Sequence, residues 1–265
     1  MGDRGDYQCG WGIHCTMMTN EYTLITGASS GIGRQIAITL SQTDNVILCG
    51  RNEDKLVETK RLCSREQSIL IWRYDVSNIN TIEADLKDFI SSNQLFVSKY
   101  VHSAGVDGMK PLRSLDYDFV LNVYTVNVFA FIFIMKALSS KRINNPRIKS
   151  AVMISSNIAE MGAKAFITYT GSKAAANGVV RSMALELAPD VRVNSVSPGA
   201  ITTDMTVAMQ MEECVIERMK NTYPLGWGKT DYIADTVKFL LSDDASWITG
   251  QNIVVDGGRT INLNG

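Results

Sequence analysis

The sequence predicts an α/β fold: a single-domain, doubly wound parallel sheet of about seven strands with helices on both faces. Three observations carry this. Short β-branched and apolar runs recur along the chain, and longer amphipathic stretches separate almost all of them. The runs are apolar throughout rather than alternating, as expected of strands covered on both faces. A glycine-rich turn joins the first run directly to the first helical stretch.

In chain order, strands are expected over Tyr22–Thr26, Asn45–Cys49, Ser68–Tyr74, Val97–His102, Ala151–Ser155, Val191–Val196 and Asn252–Val255. Right-handed crossovers through the intervening helices connect them. The first helix opens from the glycine-rich turn and runs through Leu40. A helix around Leu115–Ser140 carries Val120, Val123, Val126, Phe129, Phe131, Phe133 and Ile134 on more than one face, so it is buried or shared between subunits, and a homotetramer or homodimer is expected. Its longest apolar run, Val126–Met135, is too short to span a bilayer and leads into Lys136.

The chain has 265 residues, 45% of them apolar and 20% charged, which suits one globular core. Its 26 Lys and Arg nearly balance its 27 Asp and Glu, so charge gives no case for nucleic acid or for an acidic membrane. Cys9, Cys15, Cys49, Cys63 and Cys214 are odd in number and scattered. Neither a disulfide framework nor a zinc site is expected, and a cytoplasmic location is. Residues 1–20 are rich in glycine and small polar residues and lack the apolar core of a signal peptide, so they are set aside as a disordered or appended leader. With five prolines and no repeat or linker, residues 21–265 form one domain.

Tyr169 and Lys173 stand four residues apart on a predicted helix, which places both on one face, and Ser156 lies upstream. An ammonium beside a phenol favours the phenolate and makes the pair a candidate acid/base centre. The turn Thr26-Gly27-Ala28-Ser29-Ser30-Gly31-Ile32-Gly33 lets backbone approach a pyrophosphate at a helix N-terminus, although its G-x-x-x-G-x-G spacing departs from the commonest dinucleotide fingerprint. The second strand ends at Gly50-Arg51-Asn52, where an NAD-preferring fold would place a carboxylate. Arg51 suits a 2′-phosphate instead, so NADPH is expected over NADH. Glu53 or Asp54 turning inward is the alternative.

Together these residues resemble the classical short-chain dehydrogenase/reductase family, a Rossmann-fold group, from Tyr22 to about Gly258. Gly27, Ser29, Ser30, Gly31, Ile32 and Gly33 look like its nucleotide loop. Arg51 and Asn52 follow at the ribose end, and Asp75-Val76 resembles the pair that holds the adenine. His102-Ser103-Ala104-Gly105 stands where the family has Asn-Asn-Ala-Gly, and Asn127 falls at its helix asparagine. Ser156, Tyr169 and Lys173 match the catalytic set. Pro198, Gly199, Ile201 and Thr203 match the loop over the nicotinamide, and Asp256-Gly257-Gly258 the C-terminal turn. His102 and Ser103 depart from the pattern and leave the bracing of the central strand open, as Trp227 does where the family has a charged residue.

The resemblance implies hydride transfer between a nicotinamide and a carbonyl carbon. Tyr169 would protonate the alkoxide, while Lys173 would hold the cofactor ribose and depress the tyrosine pKa. Ser156 would donate to the carbonyl oxygen, and Asn127 would hold a water linking Lys173 to solvent. Plainer roles stay open: Asn127 breaking helix regularity, Ser156 capping a strand end, Thr203 starting a helix. No metal is expected. The nearest subgroup by overall look is the 3-oxoacyl-(acyl-carrier-protein) reductases, with Arg142, Arg147 and Lys149 available to an acidic carrier protein. Met205, Met209, Met211 and Met219 would make an adaptable apolar lid or, equally, the ordinary core of a lid helix. A reductase of sugars, steroids or small secondary alcohols is the alternative, and a non-catalytic nicotinamide sensor the third.

Overall fold

The computed structural model describes residues 20–146, 148–201, 217 and 220–262. Seven strands form one sheet in the order β3-β2-β1-β4-β5-β6-β7, and every neighbouring pair is parallel. They are β1 (Glu21–Thr26), β2 (Asn45–Gly50), β3 (Ile69–Arg73), β4 (Phe96–His102), β5 (Ser150–Ile154), β6 (Arg192–Pro198) and β7 (Asn252–Val255). The predicted strands all form, with shifted ends. Cross-strand pairing sets the new limits: β6 runs on to Pro198 because Pro198 stands opposite Val255, whereas Tyr74 and Ser155 fall outside their strands.

The helices are α1 (Gly31–Leu40), α2 (Glu53–Leu62), α3 (Ile82–Ser92), α4 (Tyr117–Tyr124), α5 (Ala130–Leu138), α6 (Ile167–Leu187) and α7 (Thr230–Leu241). They divide the core into two layers. One holds Leu24, Tyr100, Phe131, Ile134 and Met153; the other holds Ile25, Ile36, Leu48, Val152 and Leu240. Strands buried on both faces explain the unbroken apolar runs.

The helix expected over Leu115–Ser140 is three pieces, because a π-turn at Thr125–Phe129 separates α4 from α5. The helical stretch Tyr117–Leu138 is 22 residues, long and apolar enough to cross a membrane by length and composition, more than the run Val126–Met135 alone suggested. In the fold it is a core helix: Val123, Ala130, Phe131, Ile134 and Leu138 are buried, and Lys136 reaches Glu83 at 2.6 Å.

The strand order reverses between β1 and β4, so the helices after them diverge and open a crevice at the carboxyl ends of the strands. A cleft of about 670 Å³ occupies that crevice.

Candidate active site

The cleft begins at the turn between β1 and α1. Gly27 has φ +71°, and a Cβ there would meet the Ala104 nitrogen at 2.6 Å; a Cβ on Gly33 would meet the Gly27 carbonyl oxygen at 2.2 Å. Only glycine lets the turn and the start of α1 close this tightly on the end of β4. No side chain caps the N-terminus of α1 and its first turn carries no carboxylate, so its N–H groups and positive potential face the cleft uncompensated. Arg34 braces the turn from behind, with Nη2 donating to the Ser29 carbonyl at 2.6 Å and Nε to Thr59 Oγ1 at 3.0 Å; Thr59 donates in turn to the Ala28 carbonyl. These residues fit a pyrophosphate.

Along the adenosine side the cleft is lined by Gly50, Arg51, Tyr74, Asp75, Val76 and Ala104. Arg51 lies 4.0 Å from Asp75 and is largely exposed. Asp75 Oδ1 accepts from the Ser77 N–H and hydroxyl. Asn52 does not line the cleft: its side chain caps α2, accepting from the Lys55 N–H. Glu53 reaches Arg73 at 3.5 Å.

At the other end Ser156, Tyr169 and Lys173 converge on the cleft. Tyr169 and Lys173 share a face of α6, with Lys173 Nζ 5.6 Å from the Tyr169 ring centre. Ser156 follows β5 by two residues and N-caps a short 3₁₀ turn at Asn157–Glu160, so its capping role accompanies its place in the site. Lys173 is buried and donates to the Ile154 carbonyl at 2.9 Å. Burial pushes its pKa down to about 8. Tyr169 is pushed up to about 12, chiefly by burial, with a hydrogen bond to Ser156 lowering it and Asp107 raising it. Burial is the largest influence on Tyr169 and favours its neutral phenol; Lys173, expected to lower the tyrosine pKa, is not among the groups that shift it here.

Asn127 lies in the π-turn and is fully buried. Its Nδ2 donates to the Val106 carbonyl and to Ser172 Oγ, and its Oδ1 accepts from the Val106 N–H. Oδ1 and Lys173 Nζ both face Gly105, 3.4 and 3.5 Å from where a Cβ there would sit. The π-turn is the helix irregularity anticipated for this asparagine.

His102 settles the bracing of the central strand. Its Nε2 donates to the Val126 carbonyl at 3.0 Å, which fixes the tautomer, and its Nδ1 faces the hydroxyls of Tyr100 and Thr26 at 2.7 and 3.0 Å. Burial drops its pKa to about 3, so it stays neutral. The imidazole thus ties β1 and β4 to the π-turn that holds Asn127.

Gly199 and Ile201 close the cleft after β6, and Ile201 is buried against Gly228. Thr203 and the methionines at 205, 209, 211 and 219 lie outside the described residues, as do Arg147 and the leader up to residue 19. Arg142 and Lys149 stand just before the start of β5, at the end of the sheet opposite the cleft, and Lys149 reaches Glu21 at 3.4 Å. They do not surround its mouth. Tyr74, Asn157, Met161, Phe166, Tyr223 and Arg259 also line the cleft. They were missed because they sit in loops and short turns without a periodic or motif signal.

A doubly wound sheet with a pyrophosphate cradle at its switch point and a Tyr-Lys pair beyond it, the lysine buried, defines a nicotinamide-dependent oxidoreductase. A family model described as enoyl-(acyl carrier protein) reductase matches residues 27–260. The chain belongs to the short-chain dehydrogenase/reductase family, whose members act on CH–OH groups. It is 32% identical over 253 residues to 7alpha-hydroxysteroid dehydrogenase of Escherichia coli, covering 93% of this chain and 97% of that one. It is equally 32% identical over 260 residues to 3-oxoacyl-(acyl-carrier-protein) reductase FabG of Thermotoga maritima, covering 92% and 99%. Among solved structures, a 4-hydroxyisoleucine dehydrogenase mutant complexed with NADH and succinate matches with a TM-score of 0.82 at 30% identity, covering 92% of this chain and all of that one.

Proposed function

We propose that this protein is an NADPH-dependent reductase that converts a carbonyl to a secondary alcohol. The observation that carries this is the convergence of Ser156, Tyr169 and Lys173 at the end of a cleft that begins on the glycine-rich turn. The nicotinamide, when bound, supplies the hydride. Tyr169, a neutral phenol held by Ser156, is the acid that gives its proton to the substrate oxygen. Ser156 donates to the same oxygen. Lys173 holds the cofactor ribose and re-protonates the phenolate, its own pKa of about 8 allowing proton exchange near neutrality. Asn127 fixes Val106 and Ser172 beside Lys173 and orients the water through which that lysine exchanges protons.

Two features support NADPH: Arg51 at the end of β2, and Glu53 engaged with Arg73. The NADH complex of the 4-hydroxyisoleucine dehydrogenase relative makes the opposite preference the competing outcome. For substrate we favour a 3-oxoacyl thioester, after the Thermotoga relative, delivered free or on a carrier protein. A steroid or small secondary alcohol is the second candidate, supported equally by the Escherichia coli relative. Exposed Tyr117 and Leu121 on α4, and Phe239, Trp247 and Val254 on and beyond α7, give two apolar faces suited to a homotetramer. The free, buried Cys49 and Cys63 suit the cytoplasm.

The test is cofactor oxidation with a short 3-oxoacyl thioester, a ketosteroid and a ketose, using NADPH and NADH, for the wild type and Arg51→Ala. NADPH turnover that falls at least tenfold in Arg51→Ala, with NADH unaffected, is expected. Equal use of both cofactors by the wild type overturns the cofactor preference, and turnover of none of the carbonyls overturns the function.

A further inference from the structure

The substrate end of the cleft contains one cation that the reductase mechanism leaves unused. Arg259 lines it, half-buried, beside the partly or wholly apolar walls of Met161, Phe166, Tyr223 and Trp227. Its charge acts on the Tyr223 phenol. Among the described residues no carboxylate pairs with it. The nearest in sequence, Asp256, is already committed: Oδ1 accepts from the Gly258 N–H, and Oδ2 from the Thr260 N–H and from Asn157 Nδ2.

Those same bonds place the arginine. The N–H groups on either side of Arg259 in the chain, at 258 and 260, both rest on Asp256, and Asp256 is anchored to Asn157, the residue after Ser156. The backbone at Arg259 is therefore registered against the catalytic serine by buried and part-buried hydrogen bonds. A guanidinium is a planar five-donor fork matched to a carboxylate. With no carboxylate partner among the described residues, at the rim of an apolar pocket, it supplies binding energy to a ligand that brings its own anion.

We propose that Arg259 is a specificity-determining residue that binds a carboxylate on the substrate, so that the preferred carbonyl compounds are keto acids whose acid group is separated from the reacting carbonyl by hydrocarbon. A phosphate dianion would call for a second cation, and at this end of the cleft the described residues supply only Arg259 beside Lys173, which the reductase mechanism already uses. This rests on the carbonyl-reductase function proposed above and, within it, departs from the thioester favoured there, which carries no free carboxylate, in favour of acid-bearing ketones.

The experiment titrates succinate and dimethyl succinate into the protein saturated with oxidised cofactor, for the wild type, Arg259→Met and Arg259→Lys, with binding followed by calorimetry. Neither probe is reduced, so the outcome does not depend on turnover, and failure of the reductase function would be seen separately in the carbonyl assay. Expected are succinate binding at least tenfold tighter to the wild type than to Arg259→Met, an intermediate affinity for Arg259→Lys, and dimethyl succinate binding unchanged across the three. Equal succinate affinity in wild type and Arg259→Met overturns the proposal. Should Arg259→Met not fold, equal affinity of the wild type for succinate and its dimethyl ester overturns it as well.

Discussion

Lys173 is held in the fold at a cost that substitution should reveal. Its pKa falls from an ordinary 10.5 to about 8 because burial strips water from the ammonium. At about 1.4 kcal/mol per pH unit this difference costs the folded state roughly 3 kcal/mol while the lysine is protonated in both states, that is, below pH 8. Replacing it by methionine removes the charge, keeps most of the side-chain volume and leaves the Ile154 carbonyl without its donor, a loss of about 1 kcal/mol. The cofactor-free Lys173→Met protein is therefore expected to be about 2 kcal/mol more stable than the wild type at pH 7, equivalent to a Tm higher by roughly 5 °C. Between pH 8 and 10.5 the unfolded wild-type chain binds more protons than the folded one, so wild-type stability rises with pH and the gap closes. Above 10.5 the order reverses, because only the lost hydrogen bond remains. Urea unfolding of both proteins at pH 7, 9 and 10.5 measures this. A variant less stable than the wild type at pH 7, or a difference independent of pH, would refute the claim that desolvation of Lys173 is an expense tolerated for catalysis.

His102 acts in the opposite pH range. Its pKa drops from 6.5 to about 3 in the fold, so the unfolded state binds the extra proton and stability is lost as pH falls from 6.5 toward 3, by about 3 kcal/mol at pH 4.5. His102→Asn should flatten that acid limb; unchanged acid sensitivity in circular dichroism melts would contradict it. Gly33→Ala places a methyl 2.2 Å from the Gly27 carbonyl oxygen, which forces the turn open. Overpacking of about 2 kcal/mol corresponds to a cofactor Kd raised about 30-fold, measurable by fluorescence titration, and an unaltered Kd would show that the cradle is not used.

The order of strands and helices was legible because an unbroken apolar run, a short turn and an amphipathic stretch recur with the spacing of crossovers. The cradle was legible from Gly27, Gly31 and Gly33, whose lack of Cβ is demanded by backbone contacts within 3 Å at Gly27 and Gly33. Tyr169 and Lys173 were legible from helical spacing alone. Their electrostatics were not: spacing puts an ammonium near a phenol but carries no measure of burial, and burial decides both pKa values. The π-turn was equally hidden, since the residues at Thr125–Phe129 read as ordinary helix and the partner of the Val126 carbonyl, His102, lies far off in sequence on β4. Asn52 misled because a polar residue after a strand serves equally as a cofactor ligand or a helix cap, and here it caps α2.

The most direct test is a single-turnover comparison of wild type and Tyr169→Phe, with cofactor binding measured on the same samples. Among the described residues the phenol bonds only to Ser156, so the variant should bind the nicotinamide cofactor with unchanged affinity and reduce a turned-over carbonyl at least 100-fold more slowly, the loss expected when a positioned general acid is removed. Reduction at the wild-type rate by Tyr169→Phe with cofactor bound would contradict the account at its centre.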